Sequence, residues 1–234
     1  MQQPAATATT HTVVDDTVLD RALPALVIHT ALRRETRLAG PLVRAVAEGD
    51  ERRATVVAAH LGVILRLLHH HHENEDLLVW PPLEARALGD EPALVATMKD
   101  QHAELERHLA QVEAILPRWS AGAGAGERDA LADALDGLHV TLADHLALEE
   151  ARALPMAERL LTDEEWVAIG EHGEKGAEGP EKLLVFGILA YEGDPVVLDQ
   201  MLSAAPYPVR KLLPRLALRR YRRHARRVYG TPAP

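Results

Sequence analysis

The chain has 234 residues, no cysteine and only eight aromatic residues, and 47% of its residues are hydrophobic. This length supports one sizeable core with or without an appendage, whereas the absence of cysteine excludes disulfides, zinc–thiolate sites, iron–sulfur clusters and cysteine nucleophiles. The formal net charge of -9 is uneven, because nine basic and no acidic residues lie between Arg210 and Arg227, which leaves 17 basic against 35 acidic side chains elsewhere.

The residue pattern predicts an all-α protein. Alanine and leucine are frequent, and few segments combine β-branched with aromatic residues as strands do. No apolar run reaches the roughly 18–20 residues of a membrane span. Residues 1–11 lack the basic and apolar regions of a secretory signal. We therefore expect a soluble, cytoplasmic protein without a transmembrane segment.

The first predicted helix contains a single histidine on its apolar stripe. Residues 1–16 are rich in Ala, Thr and Gln and are predicted to form a disordered arm. Asp15-Asp16-Thr17 then offers N-cap side chains for a helix that extends to about Ala47. His29 interrupts its stripe. A lone histidine there is usually a hydrogen-bonded core residue, so its role depends on what other helices present.

The second predicted helix, from about Asp50 to Trp80, contains four consecutive histidines at positions 69–72. One of its faces is apolar and continues into His71 and Glu75. Such a pair at i, i+4 directs a nitrogen and an oxygen to one point, which suits an iron-type ion. Two alternatives remain open at this point, because a rival stripe ends in His72 and Asp76 and because at least two of the histidines must face outward.

The third predicted helix opens at Asp90-Glu91-Pro92, where proline is expected in a first turn. Its stripe is apolar except for His102, and Glu106 follows four residues later. An alternation of Ala and Gly at 122–126 is read as a flexible connection.

The fourth predicted helix, from Glu127 to about Leu154, is expected to end at Pro155. Its apolar stripe includes His145 and Glu149, and Glu150 follows directly. Glu149 lies four residues and Glu150 five residues after His145, and either spacing places a carboxylate near the imidazole. The choice between them stays open.

Four helices of similar length with short links predict an up-down-up-down four-helix bundle. In such a bundle, residues meet when they lie at equal heights, at about 1.5 Å per residue. His29 and His102 lie about a dozen residues after the starts of their helices, and His71 and His145 about nine before the ends. The four imidazoles are therefore predicted to converge in one layer of the core.

In combination, these residues resemble the hemerythrin-like, HHE cation-binding family. Members use a His from the first helix, His-x-x-x-Glu from the second, one or two His from the third, and His followed four or five residues later by Asp or Glu from the fourth. The resemblance covers roughly residues 17–160 and implies two non-haem iron ions, oxo- or carboxylate-bridged. The implied ligands are His29, His71, Glu75, His102, Glu106, His145 and Glu149 or Glu150.

The resemblance implies that the iron pair binds O2, peroxide or NO. The oxygen-carrying members have a second histidine in the third helix, where this chain has Glu106. Because anionic oxygen ligands favour higher oxidation states of iron, Glu106 would shift the centre from reversible O2 carriage towards activation. This predicts a small-molecule oxidase or peroxide-handling enzyme.

Two other functions compete with the enzyme. One is a protein that binds or senses O2, NO or iron without turnover. The other is a structural helical protein whose basic tail binds nucleic acid. No tyrosine or phenylalanine precedes Phe186, so no tyrosyl radical relay is predicted within the bundle.

Residues 161–234 predict a helical extension. Thr162 to Glu165 matches a capping box, residues 173–179 form a linker, and two short helices are expected at 180–191 and 194–205. The apolar residues 183–190 are predicted to dock on the bundle, over the open end of the metal layer.

The last segment, Val209 to Tyr229, alternates Leu or Tyr with Arg. Two interpretations stay open for it. It docks on the acidic bundle, or it binds an anionic surface of membrane or nucleic acid.

Overall fold

The computed structural model describes residues 20–176 and 179–234, and every regular element in these ranges is helical. The predicted arm and the Asp15-Asp16-Thr17 cap lie outside the described residues. The elements are α1 (Leu23–Arg44), α2 (Glu51–Leu78), α3 (Trp80–Arg86), α4 (Glu91–Gly122), α5 (Ala125–Leu148), a π-helical segment (Glu149–Ala153), α6 (Leu154–Leu160), α7 (Asp163–Gly173), α8 (Gly179–Ala190), α9 (Pro195–Met201) and α10 (Tyr207–Tyr229).

The four long helices pack around one apolar core. Helix α1 contacts α2 and α5, and α4 contacts the same two helices from the other side. Full burial of each leucine in this core contributes about 1.5–3 kcal/mol. The fully buried leucines of this core are Leu32, Leu68, Leu105, Leu131, Leu138, Leu142 and Leu146.

The link between α4 and α5 is shorter than predicted. Residues 122–126 do not form a flexible connection, since α4 continues through Gly122 and α5 begins at Ala125. Ala123 adopts a left-handed conformation with φ 48° and is buried. Its carbonyl accepts a hydrogen bond from the N–H of Gly49 at 3.0 Å. The α1–α2 and α4–α5 links therefore lie side by side at one end of the helices.

Pro155 does not end the fourth helix, which continues to Leu160 through the π-helical segment. The N–H of Leu154 donates to the carbonyl of Glu149, five residues back. Pro155 lies in the first turn of α6, directly after the wider π-helical turn. This π-helical turn contains the two carboxylates, Glu149 and Glu150, whose roles the sequence left open.

The predicted capping box at Thr162 is confirmed, and α7 continues from it to Gly173. Helix α7 lies against the histidine-rich turn of α2. His70 Nε2 lies 3.1 Å from the carbonyl of His172, and Asn74 donates to the carbonyl of Ile169 at 3.2 Å. The element next to this turn is thus α7, whereas α8 packs mainly on α10 and also on α1.

A buried network of polar groups attaches α10 to the first two helices. The carboxylate of Glu35, which is 1% exposed, accepts hydrogen bonds from the guanidinium of Arg34 and from the hydroxyls of Tyr221 and Tyr229. His60 Nε2 lies 3.2 Å from the same carboxylate. Two tyrosines from the far end of the chain therefore reach the flank of the bundle, although none precedes Phe186 in the sequence.

This network should make stability depend on pH. Burial opposes ionisation of Glu35, but His60, Arg34 and Tyr229 lower its pKa from 4.5 to about 2. Burial and the nearby His60 lower the pKa of His224 from 6.5 to about 4. The unfolded chain therefore binds more protons in both ranges, so stability should fall as pH drops from about 6.5 to 4 and again from about 4.5 to 2.

Urea unfolding at a series of pH values checks this expectation. The variant His224→Gln should show a flatter stability curve than the natural chain between about pH 6.5 and 4, and the same curve above pH 7. Parallel curves for the two proteins throughout would contradict the assigned role of His224.

Helix α10 docks through its small and apolar face. Ala217, Tyr221, Ala225 and Val228 are buried, and a Cβ on Gly187 of α8 would lie 2.4 Å from the carbonyl oxygen of Ala217. Only a glycine permits this close approach of α8 to α10. The arginines of α10 face away from this contact. Within the described ranges, no helix has both the length and the apolar character needed to cross a bilayer.

Candidate metal centre

Histidines from four helices meet inside the bundle, as the equal-height argument predicts. His29 comes from α1, His102 from α4 and His145 from α5, and each is at most 3% exposed. Helix α2 contributes both His71 and His72. Ring centroids are 5.0 Å apart for His29 and His71, and 4.8 Å apart for His102 and His145.

The cluster divides into two groups of potential ligands. In each group, one ligand atom from every residue lies within 4.8 Å of the others. One group has three imidazoles, and the second has two imidazoles and two carboxylates. They are His72, His102 and His145, and His29, His71, Glu75 and Glu149.

Both carboxylates lie between the two groups. Glu75 Oε1 is 3.1 Å from His71 Nε2, and its Oε2 is 3.3 Å from His102 Nε2. Glu149 Oε2 is 3.4 Å from His29 Nε2 and 3.7 Å from His145 Nε2. Each carboxylate therefore faces an imidazole of either group, which is the arrangement that a bridging ligand needs.

Several ligand atoms in the cluster are buried and have no hydrogen-bond partner among the residues that the structure describes. They include both ring nitrogens of His72 and one atom of each other member: Nε2 of His29, His71, His102 and His145, and Oε2 of Glu75 and Glu149. A buried polar group without a partner costs about 1–3 kcal/mol. Seven such residues directed at one interior region fit a site for cations.

Hydrogen bonds from outside the cluster orient three of the imidazoles. Asp76 Oδ1 lies 2.8 Å from His102 Nδ1, and Gln101 Oε1 lies 3.1 Å from His145 Nδ1. Glu150 Oε1 lies 2.9 Å from His29 Nδ1. Because one ring nitrogen is occupied in this way, the other nitrogen of each ring is directed into the cluster.

Burial controls the charge of these groups. It lowers the pKa of His71 and His72 well below the usual value, and the pKa of His145 to about 3. Burial also raises the pKa of Glu75, and together with the charge of Glu75 it raises that of Glu149 to about 8. The interior favours neutral imidazoles, which can bind metal, and it disfavours carboxylates that lack a cation.

His102 differs from the other imidazoles. Burial alone would lower its pKa, but the carboxylates of Asp76 and Glu75 raise it to about 9. A cation at Nε2 would take the place of that proton, while Asp76 would keep its hydrogen bond to Nδ1.

The predicted site residues separate into three sets. The structure brings together His29, His71, Glu75, His102, His145 and Glu149. Glu150 lies outside this set, 27% exposed, where it also accepts a hydrogen bond from Arg33 at 2.7 Å. Glu106 is not brought to the cluster, because its side chain is 48% exposed and lies 3.2 Å from Nδ1 of the exposed His69.

The sequence treated His72 and His71 as alternatives, but the structure directs both inward. Adjacent residues of a helix diverge by about 100°, and the two rings therefore reach different groups of ligands. The two carboxylates that follow have different positions. Glu75 lies in the cluster, whereas Asp76 contacts the outer ring nitrogen of His102. The sequence did contain a sign of His72, because the second possible stripe on α2 ends in His72 and Asp76. At the height of the cluster, His71 and His72 are both buried.

The supporting hydrogen bonds should matter for metal affinity. The variant Asp76→Ala removes the acceptor that orients His102, so the affinity of the cluster for a metal cation should fall about 10–100-fold. Anaerobic titration with ferrous iron measures this change. Glu73→Ala is the control, because Glu73 is exposed on the same turn and lies near His70 rather than a cluster residue. Equal affinities of the two variants would contradict the role of Asp76.

The comparisons with known proteins agree with this geometry. A family model, described as the hemerythrin HHE cation binding domain, matches residues 27–157, more than half of the chain. No similar curated protein and no similar solved structure was found. The matched range includes all seven residues of the two ligand groups. The chain belongs to the hemerythrin HHE cation-binding domain family.

Proposed function

We propose that the chain is an up-down-up-down four-helix bundle that holds two iron ions and binds O2 or NO reversibly. The observation that carries the proposal is the composition of the cluster, five imidazoles and two carboxylates, with Glu106 outside it. Neutral imidazoles favour the ferrous form of iron, whereas anionic oxygen ligands favour the oxidised forms. The sequence-based argument for an enzyme depended on Glu106 as a ligand, so this composition shifts the preference towards reversible binding.

The ligand types support iron as the metal. Mg²⁺ and Ca²⁺ prefer sites made of oxygen ligands, whereas imidazoles suit iron, zinc, copper and nickel. Glu75 and Glu149 each face both groups, which supports a pair of ions joined by carboxylates. A bound ferrous pair would supply the electrons that binding of O2 or NO requires.

Four leucines keep bulk water away from this region. Leu32, Leu68, Leu105 and Leu142 each lie three residues from a cluster histidine on the same helix, and all four are fully buried. Residues three apart lie on one face of a helix, so these side chains form an apolar wall next to the imidazoles. Exclusion of water favours reversible binding because it limits proton delivery to the bound gas.

A second candidate function is activation of O2 or peroxide as an oxidase or peroxide-handling enzyme. The observation that favours it is Trp80, a buried and oxidisable indole whose ring centroid lies 5.6 Å from that of His102. An aromatic ring at this position can supply an electron during turnover. The same experiment distinguishes the two candidates.

The test is anaerobic loading with ferrous iron, followed by exposure to air and then removal of O2. The proposal expects about two irons per chain and an absorption spectrum that appears with O2 and reverses when O2 is removed. Irreversible oxidation, or turnover of added peroxide, would favour the enzyme. Fewer than two bound irons in the fully loaded protein would overturn the two-iron proposal.

Two matched carboxylate variants sharpen this test. Glu149→Gln should lose iron, because it removes a carboxylate that faces both groups. Glu106→Gln should keep both the iron content and the reversible spectrum, because its side chain is exposed and pairs with His69. Loss of iron from Glu106→Gln would return that residue to the ligand set and restore the argument for an enzyme.

A further inference from the structure

We propose that the outer face of α10, together with the start of α9, binds the surface of an anionic lipid bilayer. This inference is independent of the metal centre. Its first support is a set of cationic side chains that have no acidic partner within residues 20–176 and 179–234. Of the nine basic residues between Arg210 and Arg227, only Arg210 has a carboxylate partner among the described residues, namely Asp199.

These unpaired cations are exposed to solvent. Seven arginines and Lys211 are all exposed on α10, and the chain outside the 210–227 segment has 17 basic against 35 acidic side chains. An acidic protein offers many carboxylates for neutralisation, yet eight of the nine cations of this helix have no carboxylate partner in the part of the chain that the structure describes. The concentrated positive charge therefore suits an external partner that is negatively charged.

The second support is a group of exposed apolar side chains at the start of the same helix. The described residues contain nine large hydrophobic residues that are exposed, and five of them belong to α9 and the first half of α10. They are Val196, Tyr207, Val209, Leu212 and Leu216. Large exposed apolar groups gathered in one place indicate an interaction surface.

The apolar and basic side chains share one face of α10. Leu212 and Leu216 are four residues apart, and Arg219 and Arg223 continue the same side of the helix at the next turns. The buried stripe of Ala217, Tyr221, Ala225 and Val228 occupies the opposite side. The helix is thus attached to the protein by one face and presents leucine and arginine together on the other.

A groove of about 550 Å³ lies beside this face, between α9 and α10. Its lining is largely apolar and includes Val196, Leu198, Pro214 and Leu218, while Lys211 and Arg215 line the same groove. Apolar side chains next to cations match a lipid surface, where acyl chains lie beneath anionic phosphates. Nucleic acid would use the cations but would leave the exposed leucines without a role.

The test is co-sedimentation with vesicles of equal parts phosphatidylcholine and phosphatidylglycerol, compared with vesicles of phosphatidylcholine alone. We expect binding to the anionic vesicles only. Each basic residue near such a surface strengthens binding by roughly fivefold, so Arg219→Glu, Arg223→Glu and Arg226→Glu combined should weaken it by more than about 100-fold. Equal binding to both vesicle types, or no binding, would overturn the proposal.

A pair of leucine variants distinguishes a lipid surface from nucleic acid. Leu212→Ser with Leu216→Ser should weaken vesicle binding by about tenfold or more, because two side chains no longer enter the interface. Leu88→Ser with Val140→Ser is the matched control, since these exposed residues lie elsewhere and should leave binding unchanged. If the variant with both α10 leucines changed binds vesicles as tightly as the natural chain, the lipid proposal is overturned.

Binding to a double-stranded DNA fragment is measured with the same variants. Three results together would identify nucleic acid as the partner instead. The chain would bind DNA more tightly than vesicles, its affinity for DNA would fall steeply with added salt, and neither pair of leucine or valine substitutions would change that affinity. All the changed side chains are exposed, so circular dichroism and thermal unfolding should match those of the natural chain.

Discussion

The variant His72→Ala should lower the affinity for ferrous iron by more than about 100-fold. His72 is 1% exposed, and neither of its ring nitrogens has a hydrogen-bond partner in the described ranges. Its ring centroid lies 4.4 Å from that of His102 and 5.4 Å from that of His145. In the proposed iron site His72 is a direct ligand, so its removal should exceed the roughly 10–100-fold effect of losing a supporting residue.

The matched control is His69→Ala, three residues earlier in the same run of histidines. The side chain of His69 is 60% exposed, so its loss should leave iron binding unchanged. Anaerobic titration and metal analysis of both variants give the comparison, and unfolding of the metal-free proteins checks that each folds. Normal iron content in His72→Ala would exclude His72 from the ligand set.

The second large effect is expected at Glu35. The variant Glu35→Ala should destabilise the protein by about 3–5 kcal/mol, because it leaves the guanidinium of Arg34 buried without its main partner. Arg34 is 4% exposed, and of its acceptors among the described residues it would keep Glu192 and the carbonyl of Ile188. The loss should also free α10, whose buried Tyr221 and half-buried Tyr229 donate to Glu35.

Urea unfolding of three variants tests this expectation. Tyr229→Phe removes one donor to Glu35 and should cost about 1 kcal/mol. Glu192→Gln should cost less than about 1 kcal/mol, because Glu192 is 45% exposed although it pairs with the same arginine. A cost below about 1 kcal/mol for Glu35→Ala would show that the network does not hold α10 in place.

Periodicity and spacing were sufficient to predict the helical class and the meeting of the four imidazole-bearing helices. Apolar residues at helical intervals can be buried only on one face, so the histidines on those faces had to enter the interior. Their equal distances from the helix ends determined a common depth. The family resemblance followed from the same residues and is confirmed by the match over residues 27–157.

The sequence could not predict the rotation of each helix about its own axis. A stripe is defined only to within about one residue, or 100°, so the sequence could not decide between His71 and His72 or between Glu149 and Glu150. The tertiary structure directs both α2 histidines inward because two groups of ligands lie side by side. In the structure, Glu150 contacts the outer ring nitrogen of His29 rather than the interior of the cluster. Glu106 lies on an exposed face of α4.

Contacts between distant segments were also decided only by the tertiary structure. The sequence predicted no tyrosyl radical relay within the bundle, because no tyrosine precedes Phe186. Local order gives no information about which side chains a terminal helix brings back to the bundle. In the folded chain, Tyr221 and Tyr229 reach Glu35 across separations of 186 and 194 residues. The composition of α10 determined its two faces, but only packing against α8 determined which face is buried and which leaves its arginines in solvent.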